Sequence, residues 1–311
     1  MTRSEPARYV GRFAPSPTGP LHFGSLLAAV ASFLQASVKQ GKWLLRVEDI
    51  DPPREQPGAD RRIIDALEAY GFEWDGPVTY QSQFEERHKE LVQRLLDDAQ
   101  AYPCSCSRRD LAGARRGPLG AIYPGTCRAG CRATEVAIRV RTDDEPIRFV
   151  DALQGKQTQR LESESGDFVI KRRDGLIAYH LAVVADDHDQ GITEVVRGID
   201  LLDSTPRHIH LQRLLGFASP GFLHIPVAEN ADGQKLSKLT GATEIDRIAV
   251  RPVLVRALAA LGQRPARDLA DASLDSIWQW AVEHWRPGVM TNQKSIPVDQ
   301  STMAEAKNPL S

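Results

Sequence analysis

The sequence has no apolar run approaching the roughly 18 residues that a bilayer-spanning helix needs, which speaks against a helical membrane protein. Its first residues, Met1 to Arg8, carry charge but no apolar leader segment, so a cytoplasmic protein with no membrane partner is expected. Neither sign of charge dominates: 39 lysines and arginines stand against 41 aspartates and glutamates. A polycation that grips nucleic acid over its whole surface is therefore excluded, and any such contact must come from local basic patches. There is no Walker lysine loop and no G-x-G-x-x-G turn. Internal repeats and low-complexity blocks are absent. Cysteine is scarce, and all four residues, Cys104, Cys106, Cys127 and Cys131, fall in one stretch. In a reduced compartment that clustering points to metal ligation rather than disulfides.

What is present reads as an α/β protein. Tyr9 to Phe13 has the pattern of a strand, and Pro15-Ser16-Pro17-Thr18-Gly19-Pro20 forces a turn. Leu26, Leu27, Val30, Phe33, Leu34 and Val38 recur at helical spacing, predicting a helix from about 24 to 39, and Gly41 stops it before a second strand at 43–47. A strand–loop–helix–strand unit favours a parallel sheet covered by helices. Helices are expected at 61–70 and 85–101, and strands at 136–140, 147–150 and 168–170. Further helices are expected at 253–261 and 277–285. Asp186-Asp187-His188-Asp189 reads as a polar loop at a strand end, since Gly191 follows closely.

Two segments could carry phosphate chemistry. His22-Phe23-Gly24-Ser25 opens the first helix, where free N–H groups and the helix dipole favour an anion and Gly24 allows close approach. A proline-rich turn with a capping histidine fits the same residues. Lys235-Leu236-Ser237-Lys238-Leu239 follows Asp232-Gly233-Gln234 and could neutralise a triphosphate during attack at its α-phosphorus. A solvated surface loop is the plainer reading of that segment alone.

Together the two segments resemble the HIGH and KMSKS signatures of class I aminoacyl-tRNA synthetases. Arg12-Phe13-Ala14-Pro15-Ser16-Pro17-Thr18-Gly19, Leu45-Arg46-Val47-Glu48-Asp49-Ile50-Asp51, Val195-Val196-Arg197-Gly198-Ile199-Asp200 and Ser204-Thr205-Pro206-Arg207 all look like the glutamyl/glutaminyl subgroup. Ser25 stands where that family has its second HIGH histidine. Few residues follow the lysine segment, too few for an anticodon-binding domain. This shortened pattern is similar to the glutamyl-Q tRNA(Asp) synthetase family. The resemblance implies tRNA-independent activation of L-glutamate with ATP and Mg2+, then transfer to queuosine at the wobble position of tRNA(Asp), by a monomer. Three other activities are weighed against it: ordinary 3′-end charging, a non-catalytic RNA-binding role, and a nucleotidyltransferase with a small-molecule product. The resemblance assigns catalysis to His22, Lys235 and Lys238, and ATP binding to His22, Gly24, Ser25 and Lys238. It assigns L-glutamate binding to Arg12, Phe13, Ala14, Pro15, Ser16, Glu48, Tyr179 and Arg197. A guanidinium fork suits a carboxylate, and a buried carboxylate suits an ammonium; structural ion pairs would use the same residue types.

The expected architecture is a Rossmann-like core in two halves, 1–100 and 176–240. Between them lies an inserted acceptor-type subdomain with a zinc knuckle, 101–175; a helical region, 241–295, and a tail, 296–311, follow. From the residues alone, four thiolates suit one structural Zn2+ ion. The resemblance instead implies Cys104, Cys106, Tyr123 and Cys127, with Cys131 as a competitor. Arg108, Arg109, Arg115, Arg116, Arg128 and Arg132, with Lys171-Arg172-Arg173, could track RNA phosphates or form solvated faces.

Overall fold

The computed structural model describes residues 9–229, 245 and 249–298. Strand β1 (Val10–Phe13) ends where Pro15 enters, and α1 (Phe23–Val38) buries Phe23, Leu26, Leu27, Val30 and Leu34 along one side. β2 (Lys42–Val47) returns parallel to β1. The turn between α1 and β2 needs glycine at 41, where a Cβ would lie 2.5 Å from the Tyr9 carbonyl oxygen. Next come α2 (Ala59–Ala69), β3 (Thr79–Tyr80), which pairs parallel to β2, and α3 (Glu85–Asp97).

The chain then leaves this layer. β4 (Ala101–Cys104) is followed by a small ribbon, β5 (Arg116–Gly117) and β6 (Gly120–Ala121), and by β7 (Ala137–Val140). The last residue of β4, Cys104, pairs with the first of β7, Ala137. β8 (Pro146–Asp151) and β9 (Gly155–Arg160) form a hairpin, and α4 (Leu161–Glu164) leads to β10 (Phe168–Lys171), antiparallel to β7. The chain returns through α5 (Tyr179–Asp189), β11 (Glu194–Gly198), α6 (Thr205–Leu215), β12 (Gly221–Ile225) and β13 (Val227–Glu229). Two helices, α7 (Val250–Ala260) and α8 (Leu274–His284), precede β14 (Ser295–Pro297), which pairs with β13.

β11 and β12 are parallel, and β8 extends them. The Thr193 N–H donates to the Val10 carbonyl at 2.9 Å, and the Val10 N–H donates to Thr193 Oγ1 at 2.9 Å, laying β11 beside β1. The order β3-β2-β1-β11-β12 is that of a doubly wound sheet, and its winding reverses between β1 and β11. Ligands bind such sheets outside the carboxyl ends of the strands at that reversal.

Two large cores flank the sheet. One joins α1, α2 and β2 to α7 and α8. In it the Phe33 ring meets Trp43, Phe72 and Trp278 edge-on at 5.2, 5.4 and 4.8 Å. The other joins α3, α5 and α6 to β4, β7 and β10.

Two local expectations fail, and one strand goes unforeseen. The helix begun at Glu85 stops at Asp97, because Ala99 takes φ +54° and Ala101–Cys104 pair with β7 instead. Tertiary pairing here overrides a helical pattern. The polar run Gly155–Arg160 forms an edge strand that has no apolar alternation to reveal it. Residues 186–189 close a helix rather than forming a loop. Gly191, at φ +67°, is the left-handed residue past its end, with the Ile192 N–H donating to the Asp187 carbonyl at 2.8 Å.

Candidate active site

The carboxyl ends of β1, β2 and β11 bring Arg12, Glu48 and Arg197 to the reversal point, with Tyr179 at the start of α5 beside them. The residues between hold this arrangement in place. The Glu48 N–H donates to the Pro15 carbonyl at 2.9 Å, tying the proline turn to the end of β2. Phe13 turns its ring into the core and stacks on Trp43 with centroids 6.3 Å apart, while Ala14 and Pro15 are half-buried and Ser16 is exposed.

Beneath the site lies a buried ionic network. Arg12 Nε donates to Asp187 Oδ1 at 3.0 Å and its Nη2 to Oδ2 at 3.4 Å. Arg46, 0% exposed in β2, donates to Asp187 Oδ1 at 2.7 Å, to Glu48 Oε1 at 3.4 Å and to Gln190 Oε1 at 2.6 Å. Asp186 accepts from Gln81 Nε2 and faces His88 Nε2, both at 2.7 Å. Burial alone would lower the Arg46 pKa, but Asp187, Glu48 and Asp186 outweigh it and the pKa rises. Burial would likewise raise Asp187, yet Arg12 and Arg46 hold it below its ordinary value. Glu48 goes the other way, since burial exceeds the pull of Arg46 and Arg12. Arg46 and Asp187 were not among the expected site residues. An arginine inside an apolar strand and a pair of acids ending an apolar helix were the available signals.

Arg197 is different in kind. It is 6% exposed, and among the described residues no carboxylate forms an ion pair with it. Its hydrogen bonds go to neutral groups. Nε donates to His224 Nε2 at 3.0 Å, and Nη2 donates to Thr205 Oγ1 at 2.9 Å and the Leu201 carbonyl at 3.2 Å. Nη1 lies 3.3 Å from His208 Nδ1 and 3.4 Å from the Tyr179 hydroxyl. Asp151 Oδ2, 2.6 Å from His224 Nδ1, fixes that imidazole so that Nε2 accepts. A buried cation without a counter-ion is costly, and its natural complement is an anionic ligand.

At the start of α1 the Ser25 N–H donates to His22 Nδ1 at 3.3 Å, and Ser25 Oγ lies 3.0 Å from His22 Nε2. His22 therefore caps the helix, and no acidic residue occupies the first turn. Gly24 and Ser25 are half-exposed there. Lys235 and Lys238 lie outside the described residues. Ile245, a short way past them, donates its N–H to the Leu21 carbonyl at 3.0 Å, next to His22.

Away from the sheet, the Cys104, Cys106 and Cys127 sulfurs lie within 4.8 Å of one another and could hold a metal ion. The Cys106 and Cys127 sulfurs are 3.6 Å apart, and the Tyr123 hydroxyl sits 3.3 Å from Cys104 Sγ and 3.5 Å from Cys106 Sγ. Cys131 points elsewhere, toward the Pro103 carbonyl at 3.5 Å. Burial raises Cys127, but hydrogen bonds from Tyr123 and Ser105 outweigh it and bring the thiol down to about 6. Arg128 is not a free surface cation. It clamps both oxygens of Asp167 at 2.6 Å and Glu162 at 2.7 Å. Arg108, Arg109, Arg115, Arg116 and Arg132 are exposed.

The interior histidines impose a pH dependence. Burial, then Arg207 and Arg197, bring His180 down to about 3. His208, His210 and His224 are lowered too, burial being the largest cause in each. Such a group is neutral in the native state and takes up a proton on unfolding. Its contribution is complete above the unfolded value, near 6.5, and is lost as pH falls toward the folded one. Each histidine steepens the loss by up to about 1.4 kcal/mol per pH unit. Thermal melts should therefore show Tm falling already between about pH 6.5 and pH 5, above the carboxylate range. A Tm flat across that window would contradict neutral interior histidines.

Residues 9–259 match the family of class I tRNA synthetases (E and Q), catalytic domain. The fold is that of a glutamate tRNA ligase from Elizabethkingia meningosepticum solved with its amino acid: TM-score 0.78, 24% identity, covering 93% of this chain and 67% of that one. A glutamate-tRNA synthetase from Elizabethkingia anophelis gives 0.77, again at 24% identity, covering 95% and 69%. This is a class I aminoacyl-tRNA synthetase catalytic core. Glutamyl-Q tRNA(Asp) synthetase of Pseudomonas fluorescens is 50% identical over 301 residues, 96% of this chain and 99% of the relative. That of Pseudomonas aeruginosa is 52% identical over 278 residues, 89% and 93%. The chain belongs to the glutamyl-Q tRNA(Asp) synthetase family.

Proposed function

We propose that the protein activates L-glutamate with ATP and transfers it to queuosine at the wobble position of tRNA(Asp). The observation that carries the reading is Arg197, a buried cation whose hydrogen-bond partners among the described residues are all neutral. A glutamate carboxylate supplies the missing counter-charge. Arg12 and Glu48 then serve the remaining carboxylate and the ammonium, and Tyr179 donates its hydroxyl, which burial keeps protonated. Ala14 to Ser16 and the Phe13 backbone would form the wall along the proline turn, the Phe13 ring being packed on Trp43 in the core. In the first step an α-carboxylate oxygen bonds to the α-phosphorus of ATP, pyrophosphate leaves, and glutamyl-adenylate remains. In the second, a queuosine hydroxyl attacks the activated carbonyl and AMP leaves. The first step requires no enzyme nucleophile; positioning and charge stabilisation carry the rate. His22, Gly24, Ser25 and the first turn of α1 cradle the nucleotide, and Lys235 and Lys238 neutralise its phosphates. The anchoring of Ile245 to Leu21 supports that pairing. Mg2+ bound with the triphosphate would supply further neutralisation of its charge.

The reading treats 1–100 and 176–240 as halves of the catalytic domain, 101–175 as the insert and 241–295 as a helical region, acting as a cytoplasmic monomer. The exposed arginines of the insert would meet RNA phosphates. Zn2+ would be held by Cys104, Cys106, Cys127 and Tyr123, with a structural role. A tetrahedral site with Zn–S near 2.3 Å spaces its sulfurs about 3.8 Å apart, close to the separation of Cys106 and Cys127. Chelation should release one zinc per chain and loosen residues 104–131, raising their protease sensitivity; unchanged digestion after zinc loss would remove the structural role.

Incubation with ATP, labelled glutamate and total tRNA, followed by nuclease mapping, tests the function. Label is expected on the queuosine nucleoside of tRNA(Asp). Label on a 3′-terminal adenosine would identify ordinary charging instead.

A further inference from the structure

An unbroken line of side chains runs from Arg197 away from the pocket. Arg197 Nη1 lies 3.3 Å from His208 Nδ1, His208 Nε2 lies 3.1 Å from His180 Nδ1, and His180 Nε2 lies 3.2 Å from Arg207 Nη1. Arginine only donates hydrogen bonds. Both imidazoles are neutral, since burial and the flanking arginines hold their pKa values far below the ordinary range. Two neutral imidazoles carry two N–H groups on four ring nitrogens. If both outer nitrogens accept from the arginines, both inner nitrogens bear hydrogen and face each other across 3.1 Å. If the inner contact is a hydrogen bond, one outer nitrogen bears hydrogen and faces an arginine N–H. At most two of the three contacts can be hydrogen bonds at once.

Arg207 Nε donates to Ser165 Oγ at 2.8 Å, and its guanidinium lies over the Phe168 ring, 5.0 Å from the centroid. At the near end, Arg197 is held through Nε and Nη2, whereas among the described residues Nη1 has the 3.3 and 3.4 Å contacts to His208 and Tyr179. A substrate oxygen can enter as a further acceptor at the pocket end, so the surplus donor is placed there. We propose that Arg207, acting through His180, sets His208 to present its Nδ1–H to the pocket beside Arg197, so that His208 helps select a carboxylate over a carboxamide.

An incoming side-chain carboxylate oxygen accepts from both Arg197 Nη1 and His208 Nδ1. His208 Nε2 then accepts from His180, and His180 Nε2 accepts from Arg207, so every contact is satisfied. A carboxamide brings one oxygen and two more N–H donors into a place that already has one too many, so glutamine is disfavoured. The inference rests on the proposal that Arg197 holds a substrate carboxylate. In it, His208 touches the substrate, while His180 and Arg207 are positioning residues.

Two measurements test it. With 15N-labelled histidine and saturating glutamate, His208 is expected as the Nδ1–H tautomer; the Nε2–H tautomer in the glutamate-bound protein overturns the proposal. In ATP–pyrophosphate exchange, His180→Phe is expected to raise the glutamate KM and lower the glutamate-over-glutamine preference, each about tenfold, with kcat changed less than about twofold. His180→Gln, which can donate to His208 and accept from Arg207 at once, should restore both. A His180→Phe enzyme that folds normally and keeps the wild-type KM and preference overturns the relay. Arg197→Ala separates the two levels of the argument. If it leaves glutamate saturation unchanged, the pocket assignment fails; if it abolishes saturation while His180→Phe has no effect, only the relay fails. Should His180→Phe not fold, the tautomer measurement on the unsubstituted protein still decides.

Discussion

Replacing Arg197 by methionine is expected to lower glutamate-dependent ATP–pyrophosphate exchange at subsaturating glutamate by about 10²- to 10³-fold. Removing one member of a desolvated charge pair weakens binding by about 2–5 kcal/mol, and each 1.4 kcal/mol is a factor of ten. Stability should respond in the opposite sense. Arg197 is buried with no carboxylate among its partners in the described residues, so the folded protein without substrate gains little from its charge. Methionine fills a similar volume without that charge, and Tm should stay near the wild-type value or rise. Activity loss without destabilisation is the signature of a side chain kept for its ligand. Near-normal exchange at low glutamate would remove Arg197 from the pocket.

Arg46 is expected to behave in reverse. Arg46→Ala should destabilise the protein by about 3–5 kcal/mol in urea denaturation, because it takes from buried Glu48 its main counter-charge and leaves buried Asp187 with Arg12 alone. The same change should disturb Arg12 indirectly, since Arg12 and Arg46 share Asp187 Oδ1 and the carboxylate would be free to shift. A cost below about 1 kcal/mol would mean that water reaches the network and screens it.

The contrast between these two arginines explains what could be read in the sequence. Arg12, Glu48 and Arg197 sit in contiguous motifs at strand ends, so both their type and their neighbourhood were visible. The alternation of β1, α1 and β2 was equally plain, because one helix face and two short strands follow local periodicities. Asp187 carried no such mark. Its partner Arg12 is 175 residues away, and the glycine that seemed to announce a loop is the left-handed cap of a helix. Arg128 looked like one more cation in a basic run until Asp167, 39 residues on, folded against it. The histidine line is harder still to foresee, since its logic lies in which nitrogens meet. Composition does not reveal that.

The pairing of Cys104 with Ala137 has an evolutionary consequence. Everything between those residues departs and returns at a single rung of one ladder, so its length does not set the spacing of any strand in the doubly wound sheet. Closing a longer or shorter excursion there changes chain entropy only slowly with length. The excursion can thus be trimmed, extended or exchanged between lineages while the doubly wound sheet keeps its dimensions.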